Sequence, residues 1–190
     1  MPETLLRVHA QALRLFGERL RAIEDGQWGA PTPCTDWDVR ALVNHVVGEQ
    51  LWIPPLVSEG RTVGEIGDAF SGDVLGDDPL AAWETASAAA HAAFAAPGAL
   101  DRTVNLSYGP TRAMAYCSEL TADCVVHTWD LARGTGGDDR LPDDLVEFSI
   151  KEVMPYADGL AASGMYAEPL EVPAGADAQT RLLALLGRKG

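Results

Sequence analysis

Residues 118–133 read SELTADCVVHTWDLAR, an apolar helical pattern that carries a carboxylate at Asp123 and an imidazole at His127. Four residues make about one helical turn, so these two side chains share one face of the predicted helix. A second apolar helical pattern, residues 42–47, carries His45. Two helices therefore supply three potential metal ligands, which predicts a metal site between the helices of a bundle.

The composition is that of an ordinary globular protein. The chain has 190 residues, of which 47% are hydrophobic and 22% are charged. This length suits a single domain, here residues 1–190, with a substantial core. Alanine-rich segments such as residues 86–93 favour helix. We therefore expect an all-α fold.

The net charge and the spacing of the cysteines limit the binding partners and the cellular compartment that we expect for this protein. The formal net charge of −14 would repel a phosphate backbone and anionic lipid headgroups, which predicts neither a nucleic-acid partner nor a membrane partner. An N-terminal signal pattern and an apolar run of about 18 residues are both missing from the sequence, so we expect a cytoplasmic protein. The three cysteines lack CxxC spacing, which favours reduced and mostly buried thiols.

Apolar periodicity and helix-breaking residues divide the first half of the chain. The spacing predicts a helix over 3–23, a loop over 28–34, and a second helix capped by Thr35 or Asp36. Pro54 and Pro55 predict a kink or break in that second helix. The glycine-rich segment 61–77 is expected to be a loop with at most a short turn, and it could border a pocket.

The second half of the chain is also predicted to consist of helices separated by helix-breaking residues. Helices are predicted from Pro79 to about Ala96, from Thr111 to Arg133, from Pro142 to about Ala162 with a disturbance near Pro155, and over 177–186. The β-prone stretch 103–108 is interpreted as an extended crossover, because one strand alone makes no sheet. The bundle core would then span about 3–134, with a C-terminal helical extension over about 142–190.

Two imidazoles and one carboxylate form a ligand set suited to zinc, nickel or non-haem iron, with a fourth position left open for water or substrate. Each histidine alone is more often a core residue bonded to a backbone carbonyl. Asp123 is different, because a carboxylate on a buried helix face needs a cation or several hydrogen-bond donors. The three residues together favour a metal site.

Other polar residues stand at helical spacing from these three. Glu119 lies one turn before Asp123 and is either a base or alternate ligand beside the metal, or an exposed helix-face carboxylate. Glu49 lies one turn after His45 and could orient or supplement that imidazole. Asp130 could orient a ligand or cap the next loop, whereas His9 and His91 are interpreted as surface or packing residues.

Three segments, residues 32–45, 120–134 and 172–188, resemble the DinB-like metal-binding family, which includes the N-terminal domain of mycothiol-dependent maleylpyruvate isomerase. The similarity is strongest to stand-alone actinobacterial members. The resemblance implies a four-helix bundle of up-down-down-up order. It also implies a divalent metal held by a histidine on the second helix and by an acid or histidine together with a histidine on a later helix, at positions that His45, Asp123 and His127 match.

The resemblance further implies that the metal activates a low-molecular-weight thiol such as mycothiol or bacillithiol. The expected function is a metal-dependent enzyme, an S-transferase or isomerase, with Zn²⁺ (or Ni²⁺ or Fe²⁺), mycothiol as possible cosubstrate and a small electrophile. Maleylpyruvate isomerase activity itself is not implied, because the resemblance covers only the bundle domain and that enzyme has Glu where this chain has Asp123. The alternatives are a non-catalytic metal or small-ligand binding protein, and a metal-dependent hydrolase with Glu119 as base. A homodimer is possible.

Overall fold

The structure is a helical bundle with one small hairpin, and the prediction of an all-α class is confirmed. The computed structural model describes residues 2–156, 159 and 167–190. The bundle helices are α1 (Pro2–Arg21), α2 (Val39–Ile53), α4 (Pro79–Ala95) and α5 (Ala113–Thr135). The shorter helices are α3 (Val63–Ile66), α6 (Asp143–Val153) and α7 (Ala178–Leu185).

The four long helices form a ring in which α1 and α2 each contact both α4 and α5. Their directions follow from two buried apolar clusters. The first cluster contains residues from the C-terminal parts of α1 and α5 and from the N-terminal parts of α2 and α4. The second cluster contains residues from the opposite ends of the same four helices. The order is therefore up, down, down, up, as the family resemblance implied.

The segment that follows the bundle adds to its core. Helix α6 packs against α5, and α7 packs against α6. Leu182 and Leu183 of α7 are buried within the first apolar cluster. This packing places the C-terminal residues on the same side of the bundle as α5. Among the described residues, no helix combines the length and the apolarity that crossing a bilayer requires.

The start of α2 differs from the prediction. The capping residue is Asp38, whose carboxylate accepts a hydrogen bond from the backbone N–H of Ala41. Thr35 and Asp36 do not cap the helix, because they lie in a turn that closes when the Trp37 N–H donates to the Cys34 carbonyl. At the other end, the predicted interruption is a π-helix over Pro54–Ser58. Segment 61–77 contains only the single turn of α3, as expected.

A β-hairpin stands where an unpaired crossover was predicted, so that interpretation was wrong. Strand β1 (Thr103–Leu106) pairs antiparallel with β2 (Gly109–Arg112), with Leu106 opposite Gly109. Gly109 has a φ of 124°, a conformation that favours glycine at the tight connection between the strands. Helix α5 consequently begins at Ala113, two residues later than predicted, because Thr111 and Arg112 belong to β2.

Helix α6 ends at Val153 and continues as a 3₁₀ turn over Met154–Tyr156, which contains Pro155. The disturbance predicted near Pro155 is therefore present. The predicted continuation to about Ala162 falls mostly outside the described residues. The three cysteines are free thiols, with Cys117 and Cys124 buried and Cys34 half-buried.

Candidate metal centre

Helices α2 and α5 bring His45, Asp123 and His127 together at the middle of the bundle. Asp123 Oδ1 lies 3.3 Å from His127 Nε2, and Asp123 Oδ2 lies 3.9 Å from His45 Nε2. The two imidazole rings meet edge to face with their centroids 5.2 Å apart. The one-turn spacing of Asp123 and His127 accounts for their contact, and the packing of α2 on α5 adds the third side chain.

The geometry of these three side chains fits a divalent metal. One donor atom from each residue can be chosen so that all three lie within 4.8 Å of one another. In a tetrahedral zinc site with ligand distances near 2.1 Å, neighbouring donor atoms lie about 3.4 Å apart. The Asp123–His127 distance of 3.3 Å already matches that value, and the Asp123–His45 distance of 3.9 Å is only slightly longer. Two imidazole nitrogens and one carboxylate oxygen are also a donor set found in zinc sites that keep an open position.

Without a metal, Asp123 and His127 stabilise each other as an ion pair. Burial alone would raise the pKa of Asp123, but the neighbouring His127 holds it below its ordinary value. Burial alone would lower the pKa of His127, but Asp123, together with hydrogen bonds to Asp130 and Cys34, holds it well above 6.5. His45 differs, because burial lowers its pKa despite the attraction of Asp123. The two imidazoles therefore differ, because the neighbouring carboxylates favour the protonated form of His127 whereas burial favours the neutral form of His45.

A buried carboxylate orients the far side of the His127 ring. Asp130 Oδ2 lies 2.9 Å from His127 Nδ1, and Asp130 is completely buried. Burial favours the neutral acid, yet hydrogen bonds with His127 and Arg188 keep the pKa of Asp130 below its ordinary value. An ionised carboxylate can only accept, so His127 donates through Nδ1. The prediction that Asp130 could orient a ligand agrees with this contact.

Arg188 holds Asp130 from the other side. Its Nε lies 2.8 Å from Asp130 Oδ1 and its Nη2 lies 2.7 Å from Oδ2, a two-pronged contact between planar groups. Cys34, His127 and Asp130 also offer donor atoms close enough for a metal. The guanidinium already neutralises Asp130, which makes a second cation there unfavourable. Of the two groups, His45, Asp123 and His127 are therefore the better candidate for a metal centre.

Trp37 packs over both imidazoles from the loop that precedes α2. Its ring centroid lies 4.6 Å from that of His45 and 5.8 Å from that of His127. Contact with a large apolar surface limits rotation of the two rings and keeps water from one side of the cluster. The sequence analysis did not single out Trp37, although it lies within one of the segments that carried the family resemblance.

A cavity of about 900 Å³ opens beside the cluster. His45, Asp123 and His127 line it, together with the carboxylates of Asp36, Glu49 and Glu119, and Arg188 is the only lysine or arginine among its described lining residues. The cavity is large enough for a small organic molecule next to the cluster. The expectation that segment 61–77 borders a pocket does not hold for this cavity, whose lining comes from other parts of the chain.

Glu49 and Glu119 occupy different parts of the cavity wall. Glu49 Oε1 lies 3.9 Å from His45 Nδ1. Burial, followed by repulsion from Asp123, raises the pKa of Glu49 to about 7. Glu119 accepts a hydrogen bond from the hydroxyl of Tyr108, at the hairpin turn. Both carboxylates line the same cavity as His45, Asp123 and His127.

The helical bundle and the ligand cluster between α2 and α5 define a DinB-like protein with a candidate metal centre. The chain belongs to the family of the mycothiol maleylpyruvate isomerase N-terminal domain, whose family model matches residues 9–132. It is 33% identical over 145 residues to uncharacterised proteins of two Mycobacterium tuberculosis strains, CDC 1551 / Oshkosh and ATCC 25618 / H37Rv. That similarity covers 74% of this chain and 72% of each relative. No solved structure shows a significant match.

Arg188 is a second residue at the site that sequence reasoning missed. It is 58 residues away from Asp130 in the chain, so no periodic pattern connects the two. The available signal was its place in the closing segment 172–188, which resembles the family. Tyr108 was assigned only to a β-prone stretch, because its contact with Glu119 depends on the hairpin.

Proposed function

We propose that the protein is a metal-dependent enzyme that activates a low-molecular-weight thiol of the mycothiol type for reaction with a small electrophile. The observation that carries this proposal is the cluster of His45, Asp123 and His127 on the wall of a large cavity. The family adds support, because its description names a mycothiol-dependent isomerase. Zn²⁺ is the proposed metal, with Ni²⁺ or Fe²⁺ as other ions that this donor set accepts.

A bound divalent metal would favour the thiolate form of a coordinating thiol at neutral pH. His45 and His127 would present neutral nitrogens to the ion, and Asp123 would contribute one negative charge. Because Nδ1 of His127 donates to Asp130, its Nε2 is the nitrogen left to act as ligand. Trp37 packs against the two imidazoles and lines the same cavity as they do.

The cavity wall offers acceptors for the proton that the thiol loses. Glu119 lies one helical turn before Asp123 and lines the cavity. We assign its carboxylate as the base, with the Tyr108 hydroxyl holding it in position. The opening beside the cluster leaves space for the electrophile to approach a thiol held at the ligand residues.

The test combines metal analysis with a thiol-consumption assay. Purified protein loaded with Zn²⁺ should hold about one equivalent and should accelerate the reaction of mycothiol with an electrophile such as chlorodinitrobenzene. His127→Ala should lose both the metal and the acceleration. Glu119→Gln should keep the metal and lose rate, which separates the ligand from the base.

Two results would count against the proposal. Wild-type protein that retains no metal after dialysis against Zn²⁺ would remove its basis. Metal-loaded protein that leaves every thiol and electrophile pair unchanged would indicate a non-catalytic metal-binding protein. Hydrolysis of esters or amides without added thiol would instead support the metal-dependent hydrolase that the sequence left open.

A further inference from the structure

We propose that Arg188 and Asp130 are positioning residues of the metal centre, so that the C-terminal segment of the chain completes a site otherwise built by α2 and α5. The inference rests on the metal centre of the proposed function and on nothing about the reaction. Arg188 lies outside residues 9–132, which match the family model.

The contacts form a continuous series from the C-terminal segment to the ligand cluster. The guanidinium of Arg188 donates to both oxygens of Asp130, and Oδ2 of Asp130 accepts from Nδ1 of His127. On the opposite edge of the ring, Nε2 of His127 faces Asp123. One hydrogen-bonded series therefore fixes which nitrogen of His127 is available to a metal, and in which direction it points.

Burial makes this series rigid. The side chain of Arg188 is 9% exposed and that of Asp130 is fully buried. Removing the guanidinium takes away two of the hydrogen bonds that fix the orientation of the Asp130 carboxylate. Asp130 would then no longer be a fixed acceptor for the Nδ1 hydrogen of His127. The Cys34 thiol lies 3.4 Å from Asp130 Oδ2 but carries no positive charge, so it cannot replace the guanidinium.

The position of Arg188 is set by the helices that follow the bundle. Its backbone N–H donates to the Leu183 carbonyl near the end of α7. Helix α7 packs on α6, and α6 packs on α5, the helix that carries Asp123, His127 and Asp130. The guanidinium is therefore located by packing against the same helix that supplies two of the metal ligands. This arrangement gives the C-terminal segment a direct influence on metal affinity.

The experiment measures the Zn²⁺ dissociation constant of the metal-free full-length protein by competition with a chromophoric chelator. Arg188→Ala and Asp130→Asn should each weaken Zn²⁺ binding by roughly 10–100-fold, the effect typical of losing a carboxylate partner of a ligand histidine. Arg188→Lys should restore part of the affinity, because it keeps the charge but not the two-pronged geometry. The absorption spectrum of the Co²⁺-loaded protein should change in Arg188→Ala and Asp130→Asn.

Arg133→Ala is the matched control. It removes another arginine–aspartate contact of α5, that of Arg133 with Asp139 at 3.1 Å, away from the ligand cluster. Its Zn²⁺ affinity and Co²⁺ spectrum should equal those of the wild type. If Arg188→Ala does not fold, Arg188→Lys and Asp130→Asn provide the same comparison.

Unchanged Zn²⁺ affinity and an unchanged Co²⁺ spectrum in Arg188→Ala and Asp130→Asn would overturn the proposal, even if their melting temperatures fall. Such a result would make the contact purely structural. Wild-type protein that binds no Zn²⁺ would overturn this inference and the proposed function together. Protein that binds Zn²⁺ and depends on Arg188 for affinity, but consumes no thiol, would support this inference while contradicting the proposed reaction.

Discussion

His9 and His127 are both buried imidazoles, and their neighbours shift their pKa values in opposite directions. His127 lies between two carboxylates, Asp123 and Asp130, which favour its protonated form. His9 lies against His91, with the two Nδ1 atoms 3.2 Å apart, and packs edge-on against Phe94. Burial, and then repulsion from His91, lowers the pKa of His9 to about 3. Of these two imidazoles, only His127 is surrounded by groups that favour its charged form.

The depressed pKa of His9 predicts that acid destabilises the metal-free protein. In the unfolded chain His9 takes up a proton near its ordinary pKa of 6.5, whereas the folded protein resists protonation until about 3. Stability is therefore lost as the pH falls below 6.5. For one group with these values the free energy of unfolding drops by about 2 kcal/mol between pH 7 and pH 5.

Urea unfolding at both pH values, with wild-type protein and His9→Gln, measures this contribution. The neutral glutamine removes the titrating group, so the variant should lose about 2 kcal/mol less than the wild type over the same interval. Comparing the two proteins cancels the titration of groups that they share. Equal losses in the two proteins would show that His9 is protonated in the folded state at pH 5.

At the residue scale, the sequence identified contacts within one helix and missed contacts between distant segments. Asp123 and His127 could be paired because helical geometry relates positions four apart. His45 could be added only because a second helix carried a histidine in a similar apolar setting. Arg188 could not be found in this way, because its contact with Asp130 depends on how α7 packs against α6 and α6 against α5.

Helices α1 and α4 approach each other closely at Gly17, and this contact constrains the bundle. A Cβ atom added at Gly17 would lie 2.8 Å from Nε1 of Trp83, a buried side chain that also packs on Phe16. Gly48 in α2 is different, since a Cβ added there would meet no atom within 4 Å. The same substitution should therefore have opposite effects at the two positions.

Gly48→Ala should raise the free energy of unfolding by about 1 kcal/mol, the gain in helix propensity. Gly17→Ala gains the same propensity but introduces overpacking that costs about 1–3 kcal/mol, so its net effect should be a loss of up to about 2 kcal/mol. Urea denaturation of the two variants beside the wild type provides the comparison. Equal stabilisation by the two substitutions would show that α1 and α4 can move apart at Gly17 without lowering the free energy of unfolding.

At the element scale, helices were predicted better than the short connections between them. Apolar periodicity over a dozen or more residues located the bundle helices, since one face of each is buried. The hairpin was missed because β2 contains Gly109 and Pro110, which are poor indicators of a strand. Its pairing with β1 becomes apparent only when both segments are seen together.

For the whole molecule, the residues that pack the helices together are different from those of the ligand cluster. The two apolar clusters contain residues of all four bundle helices, and the first also contains Leu182 and Leu183 of α7 and Leu186, which follows that helix. The candidate metal ligands His45, Asp123 and His127 come from α2 and α5 and lie on the wall of a cavity. In the metal-free state the charges of Asp123 and His127 compensate each other. We therefore expect the fold to persist without an ion.

Removal of the metal should accordingly lower the melting temperature without unfolding the protein. Zn²⁺ at about 100 times its dissociation constant stabilises a folded protein by about 2.7 kcal/mol. At roughly 2–4 °C per kcal/mol for a chain of this size, chelation should lower the melting temperature by about 5–11 °C. Circular dichroism should show the same helical signal at 25 °C before and after chelation, and His127→Ala should show no response to Zn²⁺. A chelated wild type without helical structure at 25 °C would mean that the ion braces the bundle, which is the behaviour of a structural metal site and not of an exchangeable catalytic one.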